Sequence, residues 1–206
     1  MNKTERIIDA ARDRFRYYGI GKTTMQDIAQ DADVAVGTLY LYFKNKDDLI
    51  VACTTEFVEQ HRREVQAVLA SNRPADEKLR QYITGRFRAA EATRSGSRHA
   101  AEVTRAVLRL KPDRIVEEGG MILSTLSQIL EQGRAAGQFQ VASIERDAKV
   151  FLLSIAYFFP NALNEPPIPA TEPDLLAVVD WFIEQWSGRP RRTPDAARKR
   201  PHRVRK

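Results

Sequence analysis

Apolar residues recur every three to four positions along almost the whole of this 206-residue chain, and the two-residue alternation of a strand is nearly absent. That periodicity confines the fold to packed helices, so the expected class is all-α. Nine segments carry it. The first runs from about Lys3 to Tyr18, with Ile7, Ala11 and Phe15 on one face and Gly19 as its stop. Two short ones follow, 24–31 and 35–43. A long fourth runs from Asn45 to near Ala70, with Asn45 as cap and Asp47 and Asp48 in its positive first turn.

The remaining five are read in the same way. Leu79, Tyr82, Ile83 and Phe87 form the stripe of a helix over 75–92, which a Ser/Gly break ends at 93–97. Val103, Val107 and Leu110 line a shorter one over 99–110. Pro112 opens the next as its first residue, and it ends near Gly137. An apolar helix runs from Ser143 or Ile144 to Phe159 and stops at Pro160. After a proline-rich loop, Thr171-Glu172-Pro173-Asp174 reads as a capping box, and Gly188 closes the last helix.

Charge is unevenly placed. The net charge is +6, but 189–206 alone holds nine Lys/Arg against one acid, Asp195, while 1–48 holds eight of each sign. The basic balance therefore belongs to the tail and does not itself mark the N-terminal region as a nucleic-acid binder. The tail has three prolines and no aromatic, too little apolar surface to offset its ordering entropy, so it is expected to be disordered. One cysteine, Cys53, excludes an internal disulfide, and the three scattered histidines give no metal-ligand spacing. No cofactor is implied. No run of eighteen apolar residues or signal-peptide core is present, so a cytoplasmic protein without membrane contact is expected.

The chemistry concentrates in 24–43. Thr24-Met25-Gln26-Asp27 is a capping box, and its N-terminal amides suit a phosphate. Met25, Ile28, Ala29 and Ala32 give that helix a buried face. Asp31-Ala32-Asp33-Val34 is the turn, with Asp33 suited to a left-handed backbone. The second helix buries Leu39 and Phe43 and turns Val36, Gly37, Thr38, Tyr40 and Tyr42 outward. Gly37 costs about 1 kcal/mol against alanine in a helix, which makes sense where a backbone must approach something closely. Tyr40 and Tyr42, two apart, cannot share one buried face, so at least one is exposed.

These residues resemble the N-terminal domain of TetR-family repressors. The pattern is Ile7, Ala10-Ala11, Phe15, Gly19, Thr23-Thr24, Asp27-Ile28-Ala29, Ala32, Val34, Gly37-Thr38-Leu39-Tyr40, Tyr42-Phe43, Lys46 and Leu49. Beyond Ile50 the likeness is architectural. The resemblance implies a three-helix DNA-binding head over 1–48, a six-helix ligand-binding and dimerisation body over 49–188, and the tail 189–206. It implies phosphate contacts by Thr24, Thr38, Tyr40, Tyr42 and Lys46, and base-edge contacts by Gln26, Ala35, Val36 and Gly37. Ala35 stands where the family often has a serine cap, and Val36 where it often has a polar residue. Val36 can touch only apolar groups such as a thymine methyl. The family's turn glycine is replaced by Asp33.

The same resemblance implies a small, apolar ligand among the fifth to eighth helices, for which Tyr82, Phe87, His99, Val103, Met121 and Tyr157 are candidates. Periodicity alone reads these aromatic and methionine side chains equally as core. The last two helices are apolar nearly all round, which calls for burial on both sides. Either a second copy covers them, making a homodimer through Phe151, Ile155, Phe159, Leu175, Val179 and Phe182, or they lie within their own chain. The expected function is a regulator, in the family's manner a repressor, that binds double-stranded pseudo-palindromic operator DNA. Two rivals are an enzyme, for which no nucleophile–base pair, carboxylate pair or phosphate loop can be assembled, and a sequence-independent DNA binder driven by the tail.

Overall fold

The computed structural model describes residues 2–160, 163 and 168–188. The tail 189–206, expected to be disordered, lies outside the described residues. Among these, nine α-helices follow in order: α1 (Lys3–Tyr18), α2 (Met25–Asp31), α3 (Val36–Tyr42), α4 (Lys46–Ala70), α5 (Ala75–Ser95), α6 (Ala100–Leu110), α7 (Arg114–Ala135), α8 (Ile144–Ile155) and α9 (Glu172–Ser187). No strand interrupts them, so the fold is all-α. No helix among the described residues is long and apolar enough to cross a membrane.

Side chains fix most of the helix starts. Asn2 and Glu5 form a capping box on α1, Thr24 and Asp27 on α2, Thr171 and Asp174 on α9. Asn45 and Ser143 cap α4 and α8. Each such cap is worth about 1 kcal/mol. Helix α3 lacks one, because Ala35 has no side-chain acceptor. Three boundaries differ from the periodicity. Helix α7 begins at Arg114, so Pro112, expected as its first residue, lies in the turn before it. Helix α5 continues to Ser95, through most of the expected break. Helix α8 stops at Ile155 and tightens into a 3-10 turn over Ala156–Phe158, because Pro160 can donate no hydrogen bond and restricts the residue before it.

Packing divides the molecule into two cores. The head core joins Ile7, Ala11 and Phe15 of α1 to Ile28, Ala29, Leu39 and Phe43, and also takes Leu49 and Ile50 from the start of α4. The body core joins Leu79, Ile83 and Phe87 of α5 to Leu126, Ile129 and Leu130 of α7 and to α8 and α9. Helix α6 is amphipathic, yet none of its residues is fully buried. Its apolar line, Val103, Val107 and Leu110, packs on the head core rather than the body core.

The dimer-face expectation needs correction at five positions. Phe151, Ile155, Leu175, Val179 and Phe182 are buried within their own chain, leaving little of them for a second copy to touch. Phe151 meets Phe182 edge-on at 5.1 Å and Trp186 at 5.6 Å. Phe159 is half-buried, with its ring edge-on to Phe87 at 6.3 Å. Periodicity marked these helices as doubly buried, and much of the second side is their own chain. The apolar residues left exposed stand one step round the same helices: Val150, Leu153 and Tyr157, with Trp181 on α9.

Phe151→Ala removes a fully buried ring from the body core. We expect chemical denaturation to show a loss of ~3–5 kcal/mol, with helix content at zero denaturant retained.

Candidate nucleic-acid interface and effector region

The helix-turn-helix is built from α2, a four-residue turn and α3. Thr24 Oγ1 accepts the Asp27 amide at 3.1 Å and donates to Asp27 Oδ2 at 2.7 Å, while the Thr24 amide donates to the same oxygen at 2.8 Å. These bonds, the hydroxyl's first and then the amide's, lower the Asp27 carboxyl pKa and keep it ionised. The box therefore occupies the Thr24 hydroxyl and amide. The amides of Met25 and Gln26 have no partner among the described residues. Asp33 adopts φ 51°, the left-handed conformation expected of the turn. Arg6 holds it there, donating from Nη2 to the Asp33 carbonyl at 2.8 Å.

Burial of Leu39 and Phe43 turns the rest of α3 outward. Ala35, Val36, Gly37, Tyr40, Leu41 and Tyr42 are exposed, Gln26 is exposed on α2, and Thr38 is half-buried. Tyr40 and Tyr42 are 50% and 49% exposed, so both are available. A Cβ on Gly37 would meet nothing within 4 Å. No internal contact thus demands a glycine there.

Leu41 was missed by the sequence reading. It is 86% exposed, and four residues beyond Gly37 it shares that glycine's face. That i, i+4 spacing was the available signal. Lys22 and Lys44, exposed at the two ends of the motif, make no ion pair among the described residues. Lys46 behaves differently from an outward phosphate grip. Its ammonium donates to the carbonyls of Ile20 at 2.8 Å and Thr23 at 2.9 Å, so two of its three donors stitch α4 to the loop before α2.

The six effector candidates do not form one group. Tyr82 and Phe87 lie buried on α5, and Met121 is on α7, which packs against it. Val103 packs on the head core. His99 starts α6 beside Gly19, its Nδ1 3.5 Å from Glu102 Oε2. Tyr157 both donates to the Ile168 carbonyl at 2.8 Å and accepts its amide at 3.0 Å, latching the loop before α9.

A polar cluster stands beside Tyr82 instead. Arg86 Nη1 lies 3.2 Å from His61 Nε2, and Arg86 Nη2 donates to Glu118 Oε1 at 3.0 Å. His61 stacks on Tyr82 with ring centroids 6.2 Å apart. Since arginine can only donate, Nε2 must accept and the imidazole is neutral there. Burial first, and Arg86 second, push the His61 pKa down. In the sequence, Arg86 stands out as a charged residue within the Tyr82–Ile83–Phe87 stripe.

The sign of the His61 effect is set by the unfolded chain. Unfolded His61 binds its proton near pH 6.5, whereas the folded protein resists it until lower pH. Between those values the unfolded state holds more protons, so stability falls as pH drops below 6.5. Thermal melts stepped downward from pH 7.5 should show this fall, and His61→Gln should flatten it; parallel profiles for the two proteins would rule it out.

Residues 7–53 match the family described as bacterial regulatory proteins, tetR family. The Fatty acid metabolism regulator protein of Bacillus subtilis is 30% identical over 142 residues, spanning 67% of this chain and 71% of the relative. Two solved structures share the fold. FadR of Bacillus subtilis in complex with stearoyl-CoA superimposes with TM-score 0.52 at 24% identity, over 88% of this chain and 96% of that one. SmeT of Stenotrophomonas maltophilia, solved with triclosan, gives 0.65 at 18%, over 90% and 91%. The match over the first helices and the curated relative together establish that this chain belongs to the tetR family, as a helix-turn-helix transcriptional regulator.

Proposed function

We propose that this regulator is a repressor, binding a pseudo-palindromic operator as a homodimer and leaving it when a small amphipathic effector occupies the body. The carrying observation is the outward face of α3. Val36, Gly37, Tyr40, Leu41 and Tyr42 are exposed together on a helix held rigidly by Leu39 and Phe43. A major groove admits such a helix, and two heads would read half-sites about one turn, ~34 Å, apart. Apolar readers at Val36 and Leu41 favour thymine methyls, with Gln26 and Thr38 as the hydrogen-bonding readers. Tyr40, Tyr42 and the backbone at Thr24 serve the phosphates. Lys46 contributes chiefly by holding the loop that positions Thr24.

Dimerisation is assigned to the exposed Val150, Leu153, Tyr157 and Trp181 rather than to the buried residues between them. Effector control is supported by the neighbours solved with stearoyl-CoA and with triclosan, both amphipathic molecules of apolar bulk. It is also supported by the connectivity, because α4 begins in the head core and carries His61 in the body. An effector acts only through different affinities for the two head arrangements.

Anisotropy titration of the full-length protein on DNA flanking its own gene tests this reading. Specific, saturable binding is expected. Leu41→Ala with Tyr42→Ala should weaken it by roughly tenfold or more, as two lost groove and phosphate contacts would, with the thermal melt preserved. Equal binding of flanking and scrambled DNA, or indifference to the double substitution, would contradict it.

A further inference from the structure

The polar cluster of the body is out of balance. Arg86 sits 13% exposed, while its counter-ion Glu118 is 40% exposed. Besides its bonds to His61 and Glu118, the guanidinium lies over the Phe159 ring at 5.6 Å. Three elements thus fix Arg86 in the interior: its own α5, the His61 ring of α4 and the Phe159 ring. Only the carboxylate is free to leave for water. Next to it the Tyr82 hydroxyl is buried with no hydrogen-bond partner among the described residues. Thr125 and Arg86 lie near enough to influence its ionisation. Neither meets hydrogen-bonding geometry with it, and Thr125 Oγ1 donates to the Met121 carbonyl at 2.9 Å. A buried hydroxyl without a partner is unfavourable by an amount comparable to a lost hydrogen bond, and it calls for an acceptor.

We propose that Arg86 and Tyr82 together receive the head group of the effector, and that this head group is an anionic oxygen, a carboxylate or a phosphate on an apolar tail. The proposal rests on the effector reading above and specifies its chemistry. The incoming anion replaces Glu118 on Arg86 and accepts the Tyr82 hydroxyl. Glu118 swings out to solvent, so it acts as a tethered competitor for the site. Phe87 and Phe159, edge-on to each other beside the guanidinium, offer the apolar wall for the start of the tail. The cluster excludes other head groups by charge. A cation would be repelled by the Arg86 guanidinium and could not take the place of Glu118 on it, and a neutral head cannot displace a carboxylate from a guanidinium. Because His61 belongs to α4, seating the anion bears on the helix that enters the head.

The experiment uses the full-length protein and four probes of one chain length, below their micelle concentrations: dodecanoate, dodecyl phosphate, dodecan-1-ol and dodecyltrimethylammonium. Binding is read by calorimetry. One of the two anions should bind about tenfold or more tightly than the alcohol, as a charge-assisted pair does over a neutral one, and the tighter anion identifies the head group. Glu118→Gln should raise anion affinity severalfold and leave the alcohol unchanged. Arg86→Gln should erase the anion preference, and Tyr82→Phe should reduce it. Glu118→Gln guards against a misfolded Arg86→Gln, because its expected effect is a gain. Equal affinity for acid and alcohol, tighter binding of the cation, binding of no probe, or no gain from Glu118→Gln would each overturn the proposal. Parallel DNA titration separates the failures. A protein that binds its upstream DNA specifically but shows no anion preference loses only this proposal, whereas one that ignores that DNA loses the regulator reading itself.

Discussion

Helix α6 is the joint on which the rest of the molecule depends. The Glu102 carboxylate accepts the Gly21 amide at 2.8 Å, across more than eighty residues of chain. Gly19 lies directly beneath Glu102 and His99 with φ 83°, and any side chain there would strike both. Arg16 of α1 donates to the Gly96 carbonyl at 2.8 Å, and Ser97 donates back to the Arg16 carbonyl at 2.7 Å. Arg109 reaches Asp47 at the start of α4. With Val103, Val107 and Leu110 seated on the head core, α6 belongs structurally to the head while its chain neighbours α5 and α7 belong to the body. Three independent kinds of contact thus fix the angle at which α3 is presented.

That arrangement gives the proposed effector site a route to the head. The head core and the body core share no residue, so neither is continuous with the other. Among the described residues α4, which runs through both regions, and α6, packed against the head, connect them. The cluster of His61, Tyr82, Arg86 and Glu118 lies on α4, α5 and α7. A change of partner there is felt by α4 directly. Interiors packed in two separate blocks move against each other more readily than one block deforms. Head neutrality fits the same logic. Some of its acids are engaged, Asp31 by Arg14, Asp27 by Thr24 and Asp47 by Arg109, while Lys22 and Lys44 stay unpaired among the described residues.

Much of this was legible from the chain. Periodicity and capping residues located all nine helices, and Asp33 announced the left-handed turn because few other residue types tolerate it. What periodicity cannot supply is the identity of the partner surface. It marked Val103 and the other apolar residues of α6 as buried, and the body looked the natural place, but they pack on the head. It marked Phe151, Ile155, Leu175, Val179 and Phe182 as doubly covered without saying that the chain covers them itself. Lys46 carried a family expectation of phosphate contact, and only the folded loop reveals two carbonyls within its reach. Arg86 needed a further step, that a charge inside an apolar stripe requires an internal partner; His61 and Glu118, on other helices, have no sequence spacing that predicts them.

Amide hydrogen exchange on the intact protein and on Glu102→Ala tests the joint most directly. A hydrogen bond to a carboxylate protects by more than a neutral one, so its removal should speed exchange at Gly21 by roughly tenfold or more. The neighbouring loop amides should follow, while Leu39, deep in the head core, keeps its protection. Unchanged exchange at Gly21, or a uniform acceleration throughout the head, would contradict the claim that α6 sets the position of the DNA-reading face.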